Sequence, residues 1–116
     1  MSANIIIFGW NRSIPGRERE RSNLVIDLNC YLKQKVENNE IQSYQVLFPD
    51  NSGGDSNGFF LIYGNNIQLD SLCNSKEWHK HVTQASFHLD ELSIVRGAAN
   101  EVVMERMYIW NDVCSA

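Results

Sequence analysis

The sequence predicts one α+β domain with the element order β-α-β-β-α-β and a further helix after the last strand. Three observations carry that reading. Ile5–Phe8 and the "GFFLIYG" run from Gly58 to Gly64 are short β-branched and aromatic stretches stopped by glycine, as in strands apolar on both faces. Between them, Leu24, Val25, Leu28, Tyr31, Leu32 and Val36 recur at spacings of three and four, the period of an amphipathic helix. No repeat, linker or low-complexity segment divides the 116 residues, and 43% hydrophobic content is enough to bury a core, so residues 1–116 form a single domain.

The elements follow in order. Strand one is Ile5 to Phe8, ended by Gly9. Pro15 and Gly16 punctuate, and helix one starts at Arg17 and ends near Asn38-Asn39. From Ile41 to Phe48 the chain alternates, with Tyr44, Val46 and Phe48 on one side, until Pro49 ends a half-buried second strand. The third strand lies in the sheet interior. Helix two is split: a turn or two from Ile67 to Cys73, then a longer piece opened by the N-cap Ser75 and carrying Trp78, Val82, Ala85 and Leu89. Leu92 to Gly97 is strand four, and Glu101 to Asn111 is a last helix expected to pack back on the domain through Val103, Met104, Met107, Tyr108 and Trp110. This order is ferredoxin-like.

Composition excludes several function classes. A net charge of -4 argues against binding nucleic acid, which needs a clustered positive face. Cys30, Cys73 and Cys114 are an odd number at wide spacing, neither a disulfide framework nor a zinc knuckle, and fit a reducing, cytoplasmic setting. The start "MSANIIIFGWNR" is too short in apolar residues for a signal peptide or a membrane span.

Three stretches invite a chemical reading. "NSGGDSNG" before the third strand is glycine-rich, but a strand rather than a helix follows it and no Lys is present, so it is no phosphate loop. Counted as a calcium loop from Asp50, it has Asp55 where glycine belongs and Leu61 where the bidentate Glu belongs. Gly53, Gly54, Asp55 and Asn57 therefore read as a hairpin loop. His79, His81 and His88 cannot share a metal: positions two apart on a helix point to nearly opposite sides, and positions seven apart are about 10 Å apart along the axis. His81 shares the Trp78 side and faces either a cavity or a boundary hydrogen bond. "RERER", Arg17 to Arg21, is a solvated helix face. Arg96 shares a strand face with Leu92 and Ile94, where it either clamps an anionic or carbonyl group, with Glu105 as a partner, or snorkels to solvent. Asp90 and Glu91 read as loop residues rather than an acid/base pair.

"GFFLIYG", a short helix, "SKEWHKHVTQA" and the strand "LSIVRG" together resemble the second half of the dimeric α+β barrel superfamily, which includes antibiotic-biosynthesis-type monooxygenases, heme-degrading monooxygenases and stress-responsive barrel proteins. The resemblance covers residues from about 4 to 97, and its local echo is Ser75-x-x-Trp78. It implies a ferredoxin-like protomer that dimerises through its sheet, with a small-molecule pocket between sheet and helices. His81 is one residue off the register of the iron-carrying histidine in heme-degrading members, so no heme role is carried over and no cofactor is expected. Two functions follow as expectations. One is a homodimeric small-molecule-binding protein; the other is a cofactor-independent monooxygenase, isomerase or lyase. For either, Trp10, Tyr44, Trp78, His81 and Arg96 are the candidate ligand-binding residues, with His81 and Arg96 the catalytic candidates. The homodimer is also predicted directly, because strands apolar on both faces leave a layer that helices on one side cannot cover.

Overall fold

The computed structural model describes residues 3–49 and 58–115. Its order is β1 (Ile5–Trp10), β2 (Arg12–Ser13), α1 (Glu18–Glu37), β3 (Ser43–Leu47), β4 (Gly58–Tyr63), α2 (Asn66–Cys73), α3 (Lys76–His88), β5 (Leu89–Asp90), β6 (Ser93–Gly97) and α4 (Glu101–Ser115). The protein is α+β: β3-β4-β1-β6 form a four-stranded sheet in which every pair is antiparallel. The predicted hairpin loop over Gly53, Gly54, Asp55 and Asn57 lies outside the described residues.

Register sorts the side chains between the two faces. Ile6 opposes Ile62 and Phe8 opposes Phe60, with Tyr44, Val46, Ile94 and Arg96 in the same rows. These point toward the helices, because side chains alternate along a strand and one row fixes the rest. Helix α1 answers with Leu24, Leu28 and Leu32, all buried at spacing four. The other rows, with Ile7, Leu61 and Val95 side by side, form the opposite face.

Helix starts and stops are legible in the local chemistry. Asn65 and Gln68 close a reciprocal capping box at α2, each side chain taking the other's backbone N–H. The Ser75 hydroxyl accepts from the Trp78 N–H at 3.2 Å, so α3 begins where the sequence places it. Helix α1 ends at Glu37 with Asn38 as its C-cap, and Asn39 takes a positive φ of 59°, which asparagine tolerates better than most residues.

Four features depart from the sequence expectations. Strand β1 runs on through Gly9 to Trp10, because Gly9 lets the Phe59 ring lie over it: an added Cβ would sit 2.9 Å from Phe59 Cδ1. Strand β1 is buried on both faces except at Ile7, which is 36% exposed, while Ile5 and Gly9 on the same face are buried. A second small ladder pairs Arg12–Ser13 with Leu89–Asp90, placing Asp90 in a strand. The last helix extends to Ser115 and does not pack back: none of its side chains is buried, and only Val102 and Arg106 are partly covered. The radius of gyration of 16.1 Å, against about 13 Å for a compact chain of this length, is consistent with such a projecting helix.

Candidate functional site

The space between sheet and helices, where the sequence places a ligand pocket, is occupied by aromatic rings. Phe8 lies at its centre, with edge-on neighbours Trp10 at 6.1 Å, Phe60 at 6.0 Å and Trp78 at 6.0 Å between centroids. Such T-shaped pairs set a positive ring edge against a negative ring face. Trp10 and Trp78 are each 3% exposed. Trp10 fits because Gly58 opposes it in the register: a Cβ there would overlap the indole.

The other candidates each have local partners. The Tyr44 hydroxyl donates to Asn29 Oδ1 at 2.7 Å and ties β3 to α1. His81 lies against Tyr31 of α1, ring centroids 4.5 Å apart. Burial of its ring, with Nδ1 enclosed and without a hydrogen-bond partner, pushes the imidazole pKa down against an opposing pull from Asp27, which favours the neutral form. Arg96 donates to Asp70 and, at 2.7 Å, to Asn66 Oδ1, clasping α2 to the sheet edge. Its acidic partner is thus on α2 and not Glu105 of the last helix, because the Arg96 row of the sheet faces the helix layer. Burial also pushes the neighbouring Cys73 thiol up, with Arg96 pulling the other way. The structure therefore seats Trp10 and Trp78 together on Phe8, and sets Tyr44, His81 and Arg96 at three separate places.

Another cleft lies among α1, α2 and α3, with a volume of about 510 Å³ and Lys35, Glu40, Gln68, Ser71, Ser75 and Glu77 on its walls. Its polar groups are largely committed. The Ser75 hydroxyl donates to Leu72 O at 2.8 Å while it caps α3. Burial lowers the Lys35 pKa, but the bond to Glu40 at 3.0 Å, with Tyr31 and Glu77 nearby, outweighs it and the net shift is upward, so Lys35 is a cation rather than a nucleophile or base. Among the described residues no three His, Cys, Asp or Glu side chains converge as a metal site.

The outer face of the sheet holds residues that the sequence pattern does not single out as a site. Leu47, Ile7 and Val95 are exposed there and Phe59, Leu61 and Tyr63 are half-buried, forming one apolar surface with none of the described helices over it. A shallow hollow of about 260 Å³ opens on this side, lined by Ile7, Gly9, Trp10, Phe59, Glu91 and Ser93. The signal for this face is present in the doubly apolar runs of β1 and β4. Compared with known proteins, the chain matches no protein-family model, no curated protein and no solved structure.

Proposed function

We propose that the chain works as a homodimeric binding module with ferredoxin-like protomers, in the manner of a dimeric α+β barrel, in which the helix-free face of each sheet is covered by a second copy. The observation that carries this is the apolar patch of Leu61, Ile7 and Val95 in one row and Leu47 and Phe59 in the next, with Gln45 and Ser93 at the ends of those rows. A lone soluble chain rarely leaves such a patch open, and burying it removes about 25 cal/mol of cost per Å². A small apolar ligand would be enclosed at the hollow beside Gly9 and Phe59, since that hollow opens on the shared face. Free Cys30, Cys73 and Cys114 are in keeping with a reducing, cytoplasmic setting, and no described helix is long and apolar enough to cross a membrane.

The enzymatic alternative, a cofactor-independent monooxygenase, isomerase or lyase, loses support because Trp10 and Trp78 fill the layer where its pocket would lie. Sedimentation at micromolar concentration tests the proposal. The wild-type chain is expected to run at twice 13.3 kDa and Val95→Glu at the monomer mass with an unchanged circular dichroism spectrum. A wild-type chain that stays at the monomer mass overturns it.

A further inference from the structure

We propose that α4 is the clasp of this homodimer: each copy's α4 lies against the partner copy and buries Met107, Tyr108 and Trp110 there. The inference rests on the dimer reading above and adds an element to it.

The side chains of α4 ask for cover on most of their circumference. Glu101, Glu105 and Asp112, at spacings of four and seven, form one narrow acidic stripe with Tyr108 at its border; Val103, Met104, Met107, Ile109, Trp110 and Val113 occupy the other directions and are exposed, with half-covered Arg106 among them. A helix apolar on nearly all sides belongs in contact with other protein.

The area also fits. A stable dimer takes about 800 Å² from each copy. On the sheet face the exposed apolar residues Ile7, Leu47 and Val95 are each about half open or less, whereas Tyr108 and Trp110 alone, 65% and 67% exposed, carry on the order of 300 Å² between them. The helix thus supplies the surface that the sheet face lacks.

Position and length select a second copy as the occupant. Helix α4 leaves from β6, the edge strand, and its root is pinned: Asn4 Nδ2 donates to Ala99 O at 2.9 Å and Ala99 N–H donates to Asn4 Oδ1 at 2.7 Å. Its 15 residues span about 22 Å, close to the roughly 15–20 Å width of a four-stranded sheet. A rooted arm at the edge of a shared face reaches across to the partner, and two-fold symmetry makes the reach reciprocal. A lipid surface suits it less well, because helices that lie on membranes carry Lys and Arg on the polar face, and here that face is acidic.

The test uses the full chain, with iodide quenching of tryptophan fluorescence measured alongside sedimentation across a dilution series. Trp10 and Trp78 are buried, so the quenchable emission is that of Trp110, with Trp110→Phe as the control. As the dimer forms, quenching is expected to fall several-fold, and Met107→Glu with Trp110→Glu in one chain should weaken association at least tenfold. A dimer in which Trp110 stays fully quenchable, or an unchanged dissociation constant in the double variant, overturns the clasp and leaves the sheet-face dimer standing. A wild-type chain that is monomeric throughout overturns both. Protection of Trp110 that appears only with phosphatidylserine vesicles overturns the clasp in favour of a membrane. If the double variant fails to fold, the wild-type quenching series decides alone.

Discussion

The two faces of the central sheet are built from similar residues and have opposite fates. On the helix side Ile6, Phe8, Phe60 and Ile62 are completely buried; one residue along the same strands, Ile7 is exposed and Phe59 and Leu61 are half-covered, and of the described apolar side chains there only Ile5, at the start of β1, is buried. Residue type does not separate them. What separates them is that Leu24, Leu28 and Leu32 of α1, with Trp78 of α3, lie over one face, and no described helix lies over the other. The helix side behaves as a finished core; the outer side leaves apolar side chains in contact with water.

That contrast can be broken most forcefully at Phe60. Phe60→Ala removes a ring from the aromatic layer and is expected to cost about 3–5 kcal/mol in chemical denaturation, through lost burial and a residual cavity. A cost near that of a surface change would mean the layer is loosely packed. Gly58→Ala is expected to cost about 1–3 kcal/mol, since the new methyl group overlaps the Trp10 indole and forces it aside. Near-ultraviolet circular dichroism should report the displaced ring, and an unchanged signal would count against the close approach. Arg96→Ala, which removes a partly exposed clasp between β6 and α2, is expected to cost about 1 kcal/mol or less, because exposed ion pairs are weakened by solvent screening. A larger loss would make Arg96 part of the core rather than of its rim.

The smallest expected effect is at His81. Its pKa is lower in the folded chain than the unfolded value of 6.5, so the unfolded state binds more protons as the pH falls below that value. Its contribution to stability is complete above pH 6.5 and is lost as the pH falls through the folded pKa. Comparing denaturation of the wild-type chain with His81→Gln from pH 7.5 to 4.5 should flatten part of the acid-side slope. Identical slopes would mean that the imidazole titrates as it does in water.

Much of the fold is legible in the amino-acid order. The spacing of Leu24, Leu28 and Leu32 predicts the face that α1 buries, and Ser75 predicts the start of α3, because both are local: helical periodicity and capping act within a few residues. The candidate site is legible only as a set of residue types. Trp78 and His81 do share a stretch of helix, but Trp78 enters the aromatic layer while His81 meets Tyr31, a residue 50 positions away in the sequence. The sequence leaves Arg96 either clamping a ligand group, with Glu105 as a partner, or snorkelling to solvent; its partners are Asp70 and Asn66, because the strand row that carries it faces α2. The apolar residues of α4 suggest a core-facing stripe; they are nearly continuous around the helix, and the helix stands away from the body.

Alternation, helical spacing and caps thus determined by themselves the four main strands, the split second helix and the final helix in that order, since each depends on backbone preferences and contacts close in sequence; the stop expected at Gly9 and the small β2–β5 ladder were not among them. Which apolar face became core, that Trp10 and Trp78 fill the space expected to hold a ligand, and that the outer face and α4 stay open were decided by the tertiary structure alone. The physical reason is that burial is non-directional. An apolar side chain gains equally against any neighbour that excludes water, so its sequence states that it needs cover and only the packed arrangement selects what covers it.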